Sequence, residues 1–230
     1  MYPAQSGNKY LDSVLDLNNR NISSVAPDAF RDTRNLTYLL LDYNQMTSFE
    51  NGTFSYFTKL RMLNVANNKL KEIQNGFSDG LERLIYLDLQ KNEITHIAKR
   101  AFVNLYNLRS LNLSKNKLTS LTQDFYHILS TEKEFDFSWN QIAYIDPYLF
   151  ASNTSVFKID LSHNNLSIIR SNVFYELSDK FIVDLTHNDI KSIEPNAFKC
   201  LTWDITFDAS VGVIRNLEPC WYKLWQYGET

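Results

Sequence analysis

Apolar residues recur along this chain in blocks of 24 residues. In most blocks one large apolar residue is followed by a second three positions later and by a third two positions after that, as in Leu36, Leu39 and Leu41. The alternation around the second and third residues predicts a short β-strand with one inward face. A single strand of this kind cannot bury its apolar face alone. Successive blocks must therefore stack, which predicts a parallel sheet with a rung spacing of about 4.8 Å.

An asparagine and a late phenylalanine complete most blocks. The asparagine follows the third apolar residue and marks the point where the chain leaves the strand. We expect its side-chain amide to bond the backbone of its own and adjacent turns, which would form a buried ladder, and we expect the phenylalanine to fill the back of the coil. The asparagines are Asn44, Asn68, Asn92, Asn116, Asn140, Asn164 and Asn188, and the phenylalanines are Phe30, Phe54, Phe77, Phe102, Phe125, Phe150, Phe174 and Phe198.

The segments LTYLLLDYNQM, LIYLDLQKNEI and LRSLNLSKNKL resemble the LxxLxLxxNxL motif of leucine-rich repeat proteins. The block length and the late phenylalanine resemble the extracellular typical class found in Toll-like receptors and small secreted insect immune proteins. This resemblance implies an α/β solenoid, a curved right-handed coil of about nine repeats with a parallel β-sheet on its concave face. We divide the chain into an N-terminal lead or edge strand (1–11), the repeats (12–203), and a degenerate last repeat with a C-terminal cap (204–230).

The two cysteines, Cys200 and Cys220, flank the degenerate last repeat. A disulfide between them would stabilise the fold by about 3 kcal/mol through loop closure. Two buried thiols, or pairing with a cysteine outside this chain, remain open alternatives. The usual C-terminal cap of the resembled family has more cysteines, so this cap is expected to be reduced or truncated.

Charge and hydropathy exclude some partners. The chain has 230 residues and a net charge of -3, and no basic cluster is evident along it, so we expect no binding of nucleic acid. It has no apolar run long enough to span a bilayer, so we expect no membrane insertion.

Glycosylation motifs bear on the compartment. No signal peptide follows Met1. The sequons and the family resemblance nevertheless favour a secreted, extracellular glycoprotein whose signal peptide is missing from this chain. The candidate acceptors are Asn21, Asn35, Asn51, Asn112, Asn153 and Asn165.

Residues between the inward positions point to the opposite face of the sheet. On the early rungs this places Tyr38, Leu40, Tyr43, Met62 and Tyr86 outward, in an apolar and aromatic patch. Such patches on a soluble chain mark contact sites, and tyrosine is enriched in them. The patch is our candidate partner-binding site. Packing between adjacent rungs is the alternative.

A column of aspartates is expected on the later rungs. Asp136, Asp160, Asp184 and Asp208 would stand about 5 Å apart, the spacing of adjacent strands. Carboxylates so close suggest a secondary site for a basic ligand or for Ca²⁺. Aspartate is, however, usual at this position in the resembled family. A glycan on Asn112 would separate this acidic half of the face from the aromatic half.

Catalytic chemistry is not expected. Ser138, Ser162, His163 and His187 lie near the aspartates in the register, but a triad also needs aligned hydrogen bonds and an oxyanion hole, which an open sheet does not supply. Two imidazoles without a third ligand make a weak metal site. We expect no enzyme activity and no cofactor.

These observations predict a secreted, non-enzymatic module that binds a protein through the concave face. The resemblance points to innate immunity or host contact in an arthropod. The alternative is a fragment of a membrane receptor or cell-adhesion ectodomain. A dimer through a sheet edge or the concave face is also compatible with the pattern.

Overall fold

The computed structural model describes residues 13–123, 133–150, 156–175 and 182–198, and the backbone of residues 204–206. Within these residues, nine short strands pair in parallel to form one sheet, here called the main sheet. Each of them pairs with its counterpart in the next block, so the predicted solenoid is confirmed. Numbered in chain order, the main-sheet strands are β1 (Val14–Asp16), β2 (Tyr38–Leu40), β3 (Met62–Asn64), β5 (Tyr86–Asp88), β7 (Ser110–Asn112), β9 (Lys133–Asp136), β11 (Val156–Asp160), β13 (Ile182–Asp184) and β15 (Asp204–Thr206).

Shorter strands lie between those of the main sheet. They pair in parallel as β4 with β6, β8 with β10 and β12 with β14, here called the short ladders. The described ranges contain no α-helix, so tight turns and short ladders form the returning segments that an α/β solenoid would build from helices. The short-ladder strands are β4 (Glu72–Ile73), β6 (His96–Ile97), β8 (Ser120–Leu121), β10 (Tyr144–Ile145), β12 (Ile168–Ile169) and β14 (Ser192–Ile193).

The main sheet keeps the predicted register over most of its width. Tyr38 stands opposite Met62 and Leu39 opposite Leu63, which is an offset of one block. Leu39 and Leu63 are fully buried. The inward positions therefore hold the sheet against the core and leave the outward positions free for other interactions.

The last pair of strands departs from the prediction. Thr206 was expected opposite Ile182 and Asp208 opposite Asp184, but the structure pairs Ile182 with Asp204 and Asp184 with Thr206. The predicted register of β15 was therefore wrong by two residues. A shift of two leaves the in-and-out alternation of a strand unchanged, so the alternating pattern cannot exclude it. Asp208 itself lies outside the described residues.

The asparagine ladder is confirmed. Asn68 shows the pattern: its Oδ1 accepts the Met46 N–H at 3.0 Å, and its Nδ2 donates to Leu41 O at 3.0 Å and Val65 O at 3.1 Å. One amide thus bonds backbone groups of its own turn and of the preceding turn, and adjacent asparagines share carbonyls, since Asn92 also donates to Val65 O. The ladder comprises Asn44, Asn68, Asn92, Asn116, Asn140, Asn164 and Asn188, all buried.

Phenylalanine rings fill the core behind the sheet, as predicted. Phe77 contacts Phe54 edge-on, with ring centroids 5.3 Å apart. Phe174 stacks on Phe150 at 5.7 Å and on Phe198 at 5.1 Å. Phe125 lies outside the described residues.

The two ends of the chain lie largely outside the described residues. The N-terminal lead, the cap beyond Thr206 and the pairing of Cys200 with Cys220 therefore remain predictions. None of the described ranges contains a helix with the length and apolar composition needed to cross a bilayer.

Candidate interaction face

The predicted aromatic patch is largely brought together by the register. Tyr38, Met62 and Tyr86 stand directly opposite one another on β2, β3 and β5. Tyr38 and Met62 are half-buried, and Tyr86 is 43% exposed. These three side chains form a continuous stripe across three strands, here called the aromatic stripe.

The other two patch residues flank this stripe. Leu40 is half-buried and stands opposite Asn64 on the next rung. Tyr43 lies on the turn after β2 and is 57% exposed. The structure thus places Leu40 on the same outward face and Tyr43 at the edge of that face.

Tyr43 belongs to a column of residues with left-handed backbone, one before each ladder asparagine and one, Asn19, before Arg20 in the first block. Their φ values lie between 49° and 57°. The chain reverses here, and from Asn19 to His163 the N–H of each residue bonds a carbonyl of the next turn, as Trp139 N–H does to Ser162 O at 3.0 Å. This conformation costs about 1 kcal/mol for a residue other than glycine. The column consists of Asn19, Tyr43, Asn67, Lys91, Lys115, Trp139, His163 and His187.

Three rings of this column, those of Trp139, His163 and His187, stack on one another, and the sequence pattern did not predict this contact. Trp139 and His163 have centroids 3.8 Å apart and planes 14° apart, and His163 and His187 have centroids 4.0 Å apart. Lys115 Nζ lies 6.0 Å from the Trp139 ring, at the limit of a cation–π contact. We call the rings of Trp139, His163 and His187 the turn stack. Their regular spacing in the sequence was the available signal, but it becomes meaningful only once the left-handed turns project the side chains side by side.

The predicted acidic column is confirmed in register for three aspartates, and each serves its own turn. Asp136 Oδ1 accepts the Ser138 N–H at 2.9 Å and the Ser138 hydroxyl at 2.6 Å. Asp160 and Asp184 make the same pair of bonds, with Ser162 and Thr186. Such turns explain the aspartates without a ligand.

The hydroxyls near the histidines are engaged in these turns. Ser138 and Ser162 donate to aspartate rather than to histidine, and His163 lies face to face with its ring neighbours. In the part of the chain that the structure describes, no group of three or more histidine, cysteine or acidic side chains is arranged to hold a metal ion.

Asp88 is a partly buried carboxylate on this face, and its pKa is raised. Burial raises the pKa of Asp88 from 3.8 to about 6, and the negative charges of Asp42 and Asp136 act in the same direction. A hydrogen bond from Gln90 N–H to Asp88 Oδ1, 3.0 Å long, opposes the rise. Asn64 and Asn112 occupy the equivalent positions on the two adjacent rungs.

A cluster of arginines was missed in the sequence. Arg61, Arg83 and Arg109 line an open recess of about 320 Å³ together with Ile85 and Asn107. The statement that the chain has no basic cluster is therefore wrong for the folded molecule. The arginines are about one block apart, so they become neighbours only when the rungs are stacked. We call this feature the arginine recess.

The sequons differ in exposure. Asn21, Asn35, Asn51 and Asn165 are exposed, and Asn153 lies outside the described residues. Asn112 is half-buried on the main sheet, and its Oδ1 accepts the hydroxyl of Ser114, the third residue of its own sequon, at 2.7 Å.

Solved structures with the same fold include receptor proteins. The TLR13 chain in a complex of TLR13 with ssRNA13 is 26% identical, with a TM-score of 0.71; the match covers 79% of this chain and 28% of that one. A chain in an octameric complex of Latrophilin 3, Unc5D and the leucine-rich repeats of FLRT2 is 21% identical, with a TM-score of 0.73, over 90% of this chain and 75% of that one. A chain of the Drosophila Toll–Spatzle complex is 21% identical, with a TM-score of 0.62, over 82% and 28%.

The likeness to the FLRT2 and Toll complexes, at this identity, concerns the fold alone. This chain spans little more than a quarter of the length of the TLR13 and Toll chains that it matches. A search of curated proteins finds no match.

The family profile gives the clearest assignment. The profile described as "Leucine rich repeat" matches residues 13–70, 58–118, 106–166 and 158–202, which together span most of the chain. These matches follow the same blocks that form the rungs of the main sheet. The protein is a member of the leucine-rich repeat family.

Proposed function

We propose that this protein is a non-enzymatic, extracellular module that binds a protein partner through the aromatic stripe. The observation that carries the proposal is the placement of Tyr38, Met62 and Tyr86 on three adjacent strands, facing away from the core. Tyrosine and methionine are enriched in protein interfaces, where tyrosine gives a large contact area at low entropic cost.

Packing between rungs is a weaker explanation for this stripe. Within the described residues, no ring contact joins Tyr38 or Tyr86 to another aromatic side chain, because Met62 separates them. The turn stack, by contrast, shows the close ring contacts that rung-to-rung packing produces. The rings of the stripe are therefore available to a partner.

The compartment and biological role are part of the proposal. The six sequons, of which four are exposed, support a secreted glycoprotein. We propose a role in innate immunity or host contact, and an arthropod source, because the repeats resemble those of Toll-like receptors and small secreted insect immune proteins.

The test is capture of a partner from the extracellular fluid of the source tissue or its host. The stripe variant carries Tyr38→Thr, Met62→Thr and Tyr86→Thr, since threonine suits a strand and adds no charge beside Asp88. A partner captured by wild type and lost by the stripe variant supports the proposal. Equal capture by both removes the stripe as the site.

A matched control variant is available away from the main sheet. Tyr106, Tyr144 and Ile168 are 58%, 38% and 39% exposed, and changing all three to threonine also removes two tyrosines and one large apolar side chain. Capture by this control variant should equal that of wild type. Both variants are first shown to melt within the range of wild type.

A second proposal is that the chain is part of a larger receptor or adhesion ectodomain. The observation that favours it is the small share of the TLR13 and Toll chains that the match covers. Sequencing the full transcript distinguishes a secreted module from a receptor fragment, because a downstream apolar segment of about 20 residues indicates a membrane anchor.

We also propose that the chain can form a dimer through a sheet edge or the concave face. Sedimentation of the purified chain measures its oligomeric state and tests this proposal.

A further inference from the structure

The arginine recess is centred on one rung. Arg61, Ile85 and Arg109 occupy equivalent positions on successive rungs, just before β3, β5 and β7. Backbone bonds fix their spacing: Ile85 N–H donates to Arg61 O at 2.8 Å, and Arg109 N–H donates to Ile85 O at 2.9 Å. Arg83 lies two residues before Ile85 on the middle rung. Three arginines thus surround one half-buried isoleucine.

No acidic side chain among the described residues pairs with these guanidinium groups. All three arginines are exposed, and none forms an ion pair or a side-chain hydrogen bond with another described residue. Asn107 Nδ2 is already used, because it donates to Glu82 O at 2.6 Å. Like charges gathered in a recess raise its positive potential, and binding of an anion relieves their repulsion.

The donor set selects the class of anion. A guanidinium presents its N–H groups as a planar fork that fits two oxygens of one anionic group. Three such forks around an apolar floor suit a group with several charged oxygens that is attached to a carbon skeleton. Sites for single-stranded nucleic acid add aromatic rings on which bases stack, and no aromatic ring among the described residues lines this recess.

We propose that the arginine recess binds a sulfate ester of an acidic polysaccharide. This site is separate from the aromatic stripe and goes beyond the proposed protein-binding function. The apolar floor at Ile85 contacts the sugar, and the arginines hold the sulfate oxygens. An open recess of this volume accommodates one or two sugar rings, with the rest of the polysaccharide outside it.

The experiment measures binding of a heparin-derived oligosaccharide to the full chain by surface plasmon resonance, with the same oligosaccharide after desulfation as a reference. The site variant carries Arg61→Gln, Arg83→Gln and Arg109→Gln. The charge-matched control carries Lys71→Gln, Lys99→Gln and Arg100→Gln, all exposed positions outside the recess. We expect binding by the site variant to weaken at least about tenfold. Binding by the control should stay close to that of wild type.

Several results would overturn the proposal. Equal weakening in both triple variants would mean that net charge alone attracts the oligosaccharide. Equal binding of the desulfated oligosaccharide would show that the recess does not recognise the sulfate group. A single-stranded RNA of equal charge that displaces the oligosaccharide at equal or lower concentration would indicate that the recess is a nucleic-acid site. Displacement by inorganic phosphate alone would indicate a site for small anions. If the site variant melts early, the single Arg83→Gln variant decides: retention of full affinity refutes the proposal.

Discussion

Trp139 and His163 lie on neighbouring turns with their rings stacked 3.8 Å apart, although both residues have a left-handed backbone, with φ values of 56° and 55°. The left-handed conformation is imposed by the turn that leads into the ladder asparagine. Ring stacking contributes about 0.5–1.5 kcal/mol beyond area burial, which is similar to the cost of the conformation. At Lys91, which has the same conformation, no ring contact offsets that cost.

Substitution by asparagine should therefore stabilise the fold at Lys91 but not at Trp139. Asparagine tolerates the left-handed region, and Asn19 and Asn67 already occupy it in this column. We expect Lys91→Asn to raise the free energy of unfolding by about 0.5–1 kcal/mol. Trp139→Asn should give no gain, since it removes the stack. Urea unfolding measures both, with Lys69→Asn as the control. Equal gains at Lys91 and Trp139 would show that the stack contributes nothing.

The asparagine ladder predicts a large local cost. Asn92 Oδ1 accepts the Leu70 N–H, and its Nδ2 donates to Val65 O and Leu89 O. Asn92→Ala leaves the buried Leu70 N–H without an acceptor, whereas Val65 O and Leu89 O each keep a second donor, from Asn68 and Asn116. We therefore expect a loss of about 2–3 kcal/mol in the free energy of unfolding.

The control for the ladder is Asn107→Ala, because Asn107 is exposed and water can replace its bond. That substitution should cost less than about 1 kcal/mol. Similar losses in the two variants, measured by urea unfolding, would contradict the structural role of the ladder.

Alanine substitutions at two glycines distinguish the cost of backbone strain from the cost of steric overlap. Gly80 and Gly52 have φ values of 84° and 83°. A Cβ on Gly80 would overlap Phe54 O and would lie 2.7 Å from Ser55 Cα, whereas a Cβ on Gly52 meets nothing closer than 3.7 Å. We expect Gly52→Ala to cost about 1 kcal/mol and Gly80→Ala about 3 kcal/mol or more, by thermal or urea unfolding. A cost at Gly80 no greater than that at Gly52 would show that the rungs separate easily.

Asp88 should make stability depend on pH. Folding raises its pKa from 3.8 to about 6, so the folded chain holds this proton more tightly than the unfolded chain. The contribution of Asp88 to stability is therefore fully present below about pH 4 and is lost as the pH rises through 6.

Asp88→Asn removes this loss and retains an oxygen to accept the Gln90 N–H, as Asn64 does for Ala66. At pH 7.5 the variant should exceed wild type by on the order of 2 kcal/mol in the free energy of unfolding, and at pH 3.5 the two should be similar. Urea unfolding across this pH range gives both curves. A constant difference between the curves would contradict the assignment to Asp88.

The sequence was sufficient to predict the features that recur from block to block together with the core residues. The inward leucines, the ladder through Asn44 to Asn188 and the phenylalanine column were predictable because each block must bury the same face. The register of Thr206 was not, since a shift of two residues preserves the alternation of a strand. The pattern of the last block therefore left its alignment undetermined.

The surface features were harder to predict for a different reason. Tyr38, Met62 and Tyr86 could be placed because they alternate with core residues. Arg61, Arg83 and Arg109 become a cluster only across rungs, and the rings of Trp139 and His163 meet only because a left-handed turn precedes each ladder asparagine. The core does not restrict these outward side chains, so a pattern that specifies the fold carries little information about the partner.

The central claim is that the aromatic stripe of Tyr38, Met62 and Tyr86 forms the partner contact. The most direct test is the dissociation constant of the captured partner for wild type, for the stripe variant and for the control variant altered at Tyr106, Tyr144 and Ile168. Because buried interface tyrosines each contribute about 1–2 kcal/mol or more, we predict at least about 100-fold weaker binding by the stripe variant and an unchanged constant for the control. Unchanged affinity in a stripe variant that melts normally would contradict the account.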